Sequence, residues 1–275
     1  MALDPPGSLS PSKVSAFTSC PLAFRFASID HLPEPPTVHT VLGTIVHRAL
    51  EGLFWHHPRG QRSVAAAETE LQQVLRTMDD DPELAQLNLD PDGRSKLQAD
   101  AGQLMKNYFE IEDPDAIHDV AVEVTMEADV GGTRFRGILD RLDLSANGLL
   151  SVVDYKTGRV PPPRAETARL AGVQFYALLC RQVLGRLPER VRLLYLRGPI
   201  VIEAAPTEQS MAGLSRKTSA LWSAIVRACA YEDFRPRPSP LCNWCHFRPI
   251  CPAHGGDPCA LHLLDPTPSP GAPPL

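Results

Sequence analysis

The chain has 275 residues, 43% of them hydrophobic and 21% charged, with a net charge of −5. That length supports one well-buried core, or one core with appendages, and the acidic balance argues against a protein that coats nucleic acid indiscriminately, though not against an enzyme with a locally positive channel. No apolar run approaches the roughly 18 residues of a membrane span. Residues 1–12 also lack a basic patch followed by an apolar stretch. The expectation is therefore a cytoplasmic protein with no membrane partner, in which clustered cysteines are read as metal ligands before disulfides.

In chain order, Ser10 and Pro11 predict an N-cap with proline in the first turn of a short helix ending near Cys20 and Pro21. His31 to Pro36 is a proline-bearing loop. From Val41 to Phe54, the residues Leu42, Ile45, Val46, Ala49, Leu50 and Leu53 recur at helical spacing. Two more helices are expected at about Ser63–Met78 and Arg94–Glu112, separated by an acidic stretch from Asp79 to Gly93. Val120–Val130 and Thr133–Leu144 predict strands turned by Gly131 and Gly132. After a turn at Ala146, Asn147 and Gly148, the apolar Leu149–Val153 predicts a strand covered on both faces. A helix from about Ala165 to Leu184, a strand Arg190–Leu196 and a long helix from about Glu208 to Tyr231 follow. The composition beyond Asp257 predicts a disordered tail. Arg181, Arg186, Arg190, Arg192 and Arg197, opposed by Glu189, are either a solvated helix end and strand edge or a basic surface.

The densest chemistry lies in GILDRLD and, after the turn, VVDYKTG. Asp154 and Lys156 are two apart on a strand, so their side chains leave one face. If Gly148 is left-handed in a three-residue loop, residue 145 pairs with 149 and Asp140 falls opposite Asp154. Two such carboxylates repel unless a cation sits between them, and a hard divalent ion with oxygen ligands can hold a phosphate there. An exposed salt-bridge ladder is the alternative. His47, in GTIVHRAL, sits at the border of the apolar stripe of its helix, where a histidine is either a core-edge residue or a ligand. Cys242, Cys245 and Cys251 lie within ten residues, CNWCHFRPIC, a strong metal signal. Cys20, Cys259, His246 or His254 could complete the site, and four thiolates suit Zn²⁺ and an iron–sulfur cluster alike. Cys180 and Cys229 fall on expected helices and read as buried thiols.

GILDRLD followed by DYKTG resembles motifs II and III of the RecB-like branch of the PD-(D/E)XK nucleases, and GTIVHRAL is similar to motif I of that family. The resemblance implies an α/β restriction-endonuclease-like core with a mixed central sheet flanked by helices. It implies catalytic Asp140, Asp154 and Lys156, and Mg²⁺ or Mn²⁺ held by His47, Asp140, Asp154 and the backbone carbonyl of Tyr155. QFYALLC resembles the family's Gln-and-Tyr motif beside the nucleic-acid path, with Tyr176 matching and Gln174 two residues from Tyr rather than four; Gly172 holds the expected place. Cluster-bearing members, the AddB-like nuclease domains among them, carry one early cysteine and three late ones. That implies a [4Fe–4S] cluster on Cys20, Cys242, Cys245 and Cys251, joining the N- and C-terminal segments, with Zn²⁺ as the alternative. The expected organisation is a disordered 1–8, a single nuclease domain over 9–256 and a disordered 257–275. The domain would carry a helical insertion at about 58–115 and cluster-binding segments at 10–30 and 240–254. The implied activity is hydrolysis of DNA phosphodiesters, as an exonuclease on single strands or ends, in repair or recombination. No GxxxxGK[ST] string is present, so any helicase would be a separate partner. The rivals are an inactive DNA-binding scaffold of the same fold and a zinc-bound interaction protein.

Overall fold

The computed structural model describes residues 2–78, 80–160 and 162–264. Most of the tail expected to be disordered lies outside the described residues. The chain divides into two compact units: one takes residues up to Pro35, Glu127–Arg136 and residues from Ala212 on, the other Pro36–Met126 and Gly137–Met211. Among the described residues no helix is long and apolar enough to cross a membrane.

A five-stranded sheet runs in the order β1 (Asp119–Val130), β2 (Thr133–Leu144), β3 (Leu150–Lys156), β4 (Arg190–Tyr195) and β5 (Ile200–Ala204). It is mixed. β2–β3 and β4–β5 are antiparallel, whereas β3–β4 is parallel and needs a crossover, which the 22-residue helix α7 (Pro163–Leu184) supplies. The β2–β3 turn decides where the carboxylates fall. Gly148 is left-handed (φ 73°), the Ser145 N–H donates to the Leu149 carbonyl at 2.9 Å, and Arg141 pairs with Val153. This is the register the sequence implies. Burial on both faces of β3, from Val152 through Tyr155, matches the expectation of a strand covered on both sides.

In the second unit, α3 (Val38–His56) is the axis of the core. A capping box between Thr37 and Thr40 starts it, satisfying two orphan N-terminal donors. Its apolar stripe, including Leu42, Ile45, Val46, Ala49 and Leu50, packs against α4 (Val64–Met78) and α6 (Pro91–Ile111) and reaches Val153 and Tyr155 of β3. A short α5 (Pro82–Gln86), started by the Asp81 side chain, occupies part of the stretch read as a separator.

The first unit contains α1 (Pro11–Ser19), α2 (Pro21–Ser28) and most of α8 (Glu208–Tyr231). Ser10 caps α1, its hydroxyl accepting from the Lys13 N–H. Leu9 is fully buried and hydrogen-bonds through its backbone to Arg134 and Arg136, while Phe26 packs edge-on against Phe247 at 5.3 Å. Leu3 donates to the Cys229 carbonyl.

Candidate active site

The β2–β3 ladder ends at Arg141–Val153. Beyond it the Tyr155 N–H donates to Oδ2 of Asp140 at 2.6 Å, so a side chain does the work of a backbone acceptor. The other Asp140 oxygen, Oδ1, faces α3, where Nδ1 of His47 lies 3.6 Å away. His47 is half-buried, one turn after Gly43, whose missing Cβ would come 3.4 Å from the Thr157 hydroxyl.

The third member of this group is Glu123, which the sequence reading passed over. Its Oε1 is 4.0 Å from Nδ1 of His47, and ligand atoms of His47, Glu123 and Asp140 all lie within 4.8 Å of one another. Glu123 sits in mid-strand at φ 48°, a left-handed conformation that costs a non-glycine residue of order 1–3 kcal/mol. Asp154 is 5% exposed, and its Oδ2 is paired with the Lys156 ammonium.

The electrostatics agree that negative charge is crowded here. Burial, then the Asp140 charge, pushes the Glu123 carboxyl up to about 7, with His47 opposing. Burial also raises Asp154 against the pull of Lys156. Burial disfavours charge on His47, but Asp140 and Asp154 outweigh it and raise its pKa. Lys156 is likewise raised, burial losing to Asp154. Tyr176 is raised by burial, then by Asp154, Asp140 and Glu123, which places its hydroxyl within their field. Its ring lies over Gly137, where any Cβ would meet Tyr176 Cε1 at 2.8 Å. Gln174 is half-buried on the same helix.

An imidazole nitrogen and two carboxylate oxygens at bridging separations fit a divalent cation such as Mg²⁺ or Mn²⁺. An open groove of about 700 Å³, lined among others by His39, Thr40, Gly43, His47, Glu123 and Lys156, leads to this point. The arginine run does not form a free basic surface. Arg181 pairs with Glu208, Arg190 with Glu203, and Arg192 with Glu112 at 3.0 Å; Arg186 donates to the Gly148 carbonyl and Arg197 to that of Thr157.

The cysteines lie in the first unit, apart from Cys180. All seven are free thiols; Cys180 and Cys229 are buried on α7 and α8, and Cys259 is exposed. Cys245 is raised by burial, relieved by the Phe247 backbone, with Cys20, Cys242 and Cys251 adding their own charges, so these four thiols share one neighbourhood. The backbone N–H groups of Arg237 and Ser239 donate to the sulfurs of Cys20 and Cys242, each at 3.4 Å.

A search of curated proteins returned no match. Among solved structures, a protein from Eubacterium rectale provisionally designated an exonuclease superposes with a TM-score of 0.55 at 12% identity, covering 87% of each chain, which shows a shared fold. The protein SSO0001 aligns with a TM-score of 0.43 at 18% identity, over 90% of this chain and 87% of its own. Residues 8–252 match the family model of the PD-(D/E)XK nuclease superfamily, and the chain belongs to that superfamily.

Proposed function

We propose that the chain is a metal-dependent deoxyribonuclease of the RecB-like, AddB-related branch, acting as an exonuclease on single-stranded DNA or DNA ends in cytoplasmic repair or recombination. The observation that carries the reading is the approach of His47, Glu123 and Asp140 to one point beside the ion pair of buried Asp154 with half-exposed Lys156. His47, Glu123, Asp140 and Asp154, with the Tyr155 carbonyl, would hold Mg²⁺ or Mn²⁺, which when bound supplies Lewis acidity at the scissile phosphate. Asp140 is oriented by the Tyr155 N–H, so its free oxygen faces His47 and Glu123. Lys156, in contact with a buried carboxylate, remains an ammonium suited to orienting the attacking water and offsetting charge on the phosphate oxygens. Tyr176 would border the DNA path, and the groove beside α3 would receive the strand.

The same reading assigns a [4Fe–4S] cluster to Cys20, Cys242, Cys245 and Cys251. Its support is the shared neighbourhood of the thiols and the N–H donors to two of the sulfurs, the kind of hydrogen bonding that tunes such clusters. It makes residues 9–256 one functional domain, with its ends tied by the cluster. Unwinding would come from a separate helicase.

The test is cleavage of end-labelled single- and double-stranded DNA with Mg²⁺ or Mn²⁺ by wild type, Asp154→Ala and Lys156→Ala. Metal-dependent cleavage abolished by both substitutions is expected; equal activity in all three would remove the enzyme reading. Anaerobically purified protein should be brown and contain iron and acid-labile sulfide. Zinc in their place would remove the cluster.

A further inference from the structure

Behind the candidate site lies a second charged network that the cleavage scheme does not use. Arg141 is fully buried. Its Nη1 donates to the hydroxyl of Tyr155 at 2.6 Å and of Tyr108 at 3.1 Å, and lies 2.7 Å from Oε1 of Glu112. Nε and Nη2 grip both oxygens of Asp143 at 2.7 and 3.0 Å, and the guanidinium stacks on Phe54 at 4.6 Å. The fork is thus held by partners from β2, β3 and the end of α6, with Phe54 of α3 against its face.

Tyr155 is where this network touches the site. Its ring meets the His47 ring edge-on at 5.9 Å and 86°, and its N–H is the donor to Asp140. A buried ionic cluster is a weak device for stability alone, because apolar residues of similar volume often serve as well. What a guanidinium adds is direction: five donors in a rigid planar fork.

We infer that Arg141 is a positioning residue of the cation site. By fixing the Tyr155 hydroxyl it sets the Tyr155 ring, and with it the plane of His47 and the backbone that orients Asp140. This rests on the nuclease reading for the identity of the site. Partners that hold ligands from behind commonly change metal affinity by about 10–100-fold when lost.

The structure supplies an internal control. Tyr155→Phe and Tyr108→Phe each remove one hydroxyl from the same Nη1 and keep both rings, which pack edge-on at 5.9 Å. Of these two rings, it is that of Tyr155 which packs against His47. Mn²⁺ binding would be followed by the loss of the free-ion EPR signal, folding by circular dichroism and thermal melts, and cleavage of end-labelled single-stranded DNA as kcat and KM. Tyr155→Phe is expected to weaken Mn²⁺ about tenfold and to lower kcat with KM little changed. Tyr108→Phe should lower Tm about as much as Tyr155→Phe does while leaving Mn²⁺ binding at the wild-type value. Arg141→Lys, which keeps the charge but not the fork, should repeat the Tyr155→Phe loss and covers the case in which that variant does not fold. Unchanged Mn²⁺ affinity in Tyr155→Phe, or equal losses in both phenylalanine variants, overturns the inference. A wild type that binds Mn²⁺ but cuts no DNA would sink the nuclease reading, while the Mn²⁺ comparison would still decide the role of Arg141.

Discussion

Glu123 offers the sharpest test, because its position should stabilise the loaded protein and destabilise the metal-free one. At φ 48° it bears a backbone cost of order 1–3 kcal/mol, and its carboxylate faces that of Asp140 without a bound cation to separate them. Glu123→Gly removes both burdens. Glycine returns about 0.5–1 kcal/mol of this through its extra freedom when unfolded, which leaves the metal-free variant ahead by about 0–2.5 kcal/mol from the backbone alone, with the relieved carboxylate repulsion added. For a chain of this size that is a rise of about 2–4 °C in Tm per kcal/mol. With Mn²⁺ the order should reverse. Wild type gains RT ln(1 + [L]/Kd), about 2.7 kcal/mol at a hundredfold excess over Kd, and the variant, lacking a ligand, gains less at the same concentration. Differential scanning calorimetry with chelator and with Mn²⁺ would read both arms. A metal-free Glu123→Gly that melts below wild type refutes the reasoning, since the conformation would then be held at no cost.

Other outcomes follow from the same geometry. Arg141→Met leaves the carboxylates of Glu112 and Asp143 buried with too little positive charge, since the remaining cation, Arg192, pairs directly with Glu112 and is shared with Glu203; urea unfolding should show a loss of about 3–5 kcal/mol. Gly137→Ala forces a methyl to 2.8 Å from the Tyr176 ring, so stability should fall by about 1–3 kcal/mol, with a visible shift of Tyr176 in a crystal structure. For pH, the Glu123 carboxyl is raised from 4.5 to about 7, so the folded metal-free protein binds the extra proton across that window. Its contribution to stability is complete below 4.5 and is lost as pH rises through about 7. Metal-free stability measured in urea should therefore decline over this range, and Glu123→Gln should flatten the decline.

Much of this was legible because it rests on local rules. The left-handed Gly148 and three-residue loop fix the β2–β3 register, which brings Asp140 to the end of the ladder, one residue past the Arg141–Val153 pair. The α3 stripe and the bounds of α8 follow from spacing. What could not be read depends on contacts distant in sequence. Glu123 occupies an ordinary alternating position in VAVEVTME, and no residue type there announces a left-handed backbone. The arginine run left a basic surface open as one of two readings because its neutralising partners Glu112, Glu203 and Glu208 lie in other elements. β5 is five residues long and follows Gly198 and Pro199, too brief for a pattern to emerge. α2 was hidden by Pro21, read as a terminator when it is the first residue of the next helix.

The borrowed acceptor at the end of the β2–β3 ladder also governs how mutants at Asp140 must be interpreted. Alanine there would strip the Tyr155 amide of its acceptor, at roughly 1–3 kcal/mol for a buried donor, so a dead enzyme could simply be one whose hairpin has come apart. Asparagine keeps a carbonyl oxygen for that amide and discards only the charge. Of the two replacements, it is the one that can silence the chemistry while leaving the architecture standing.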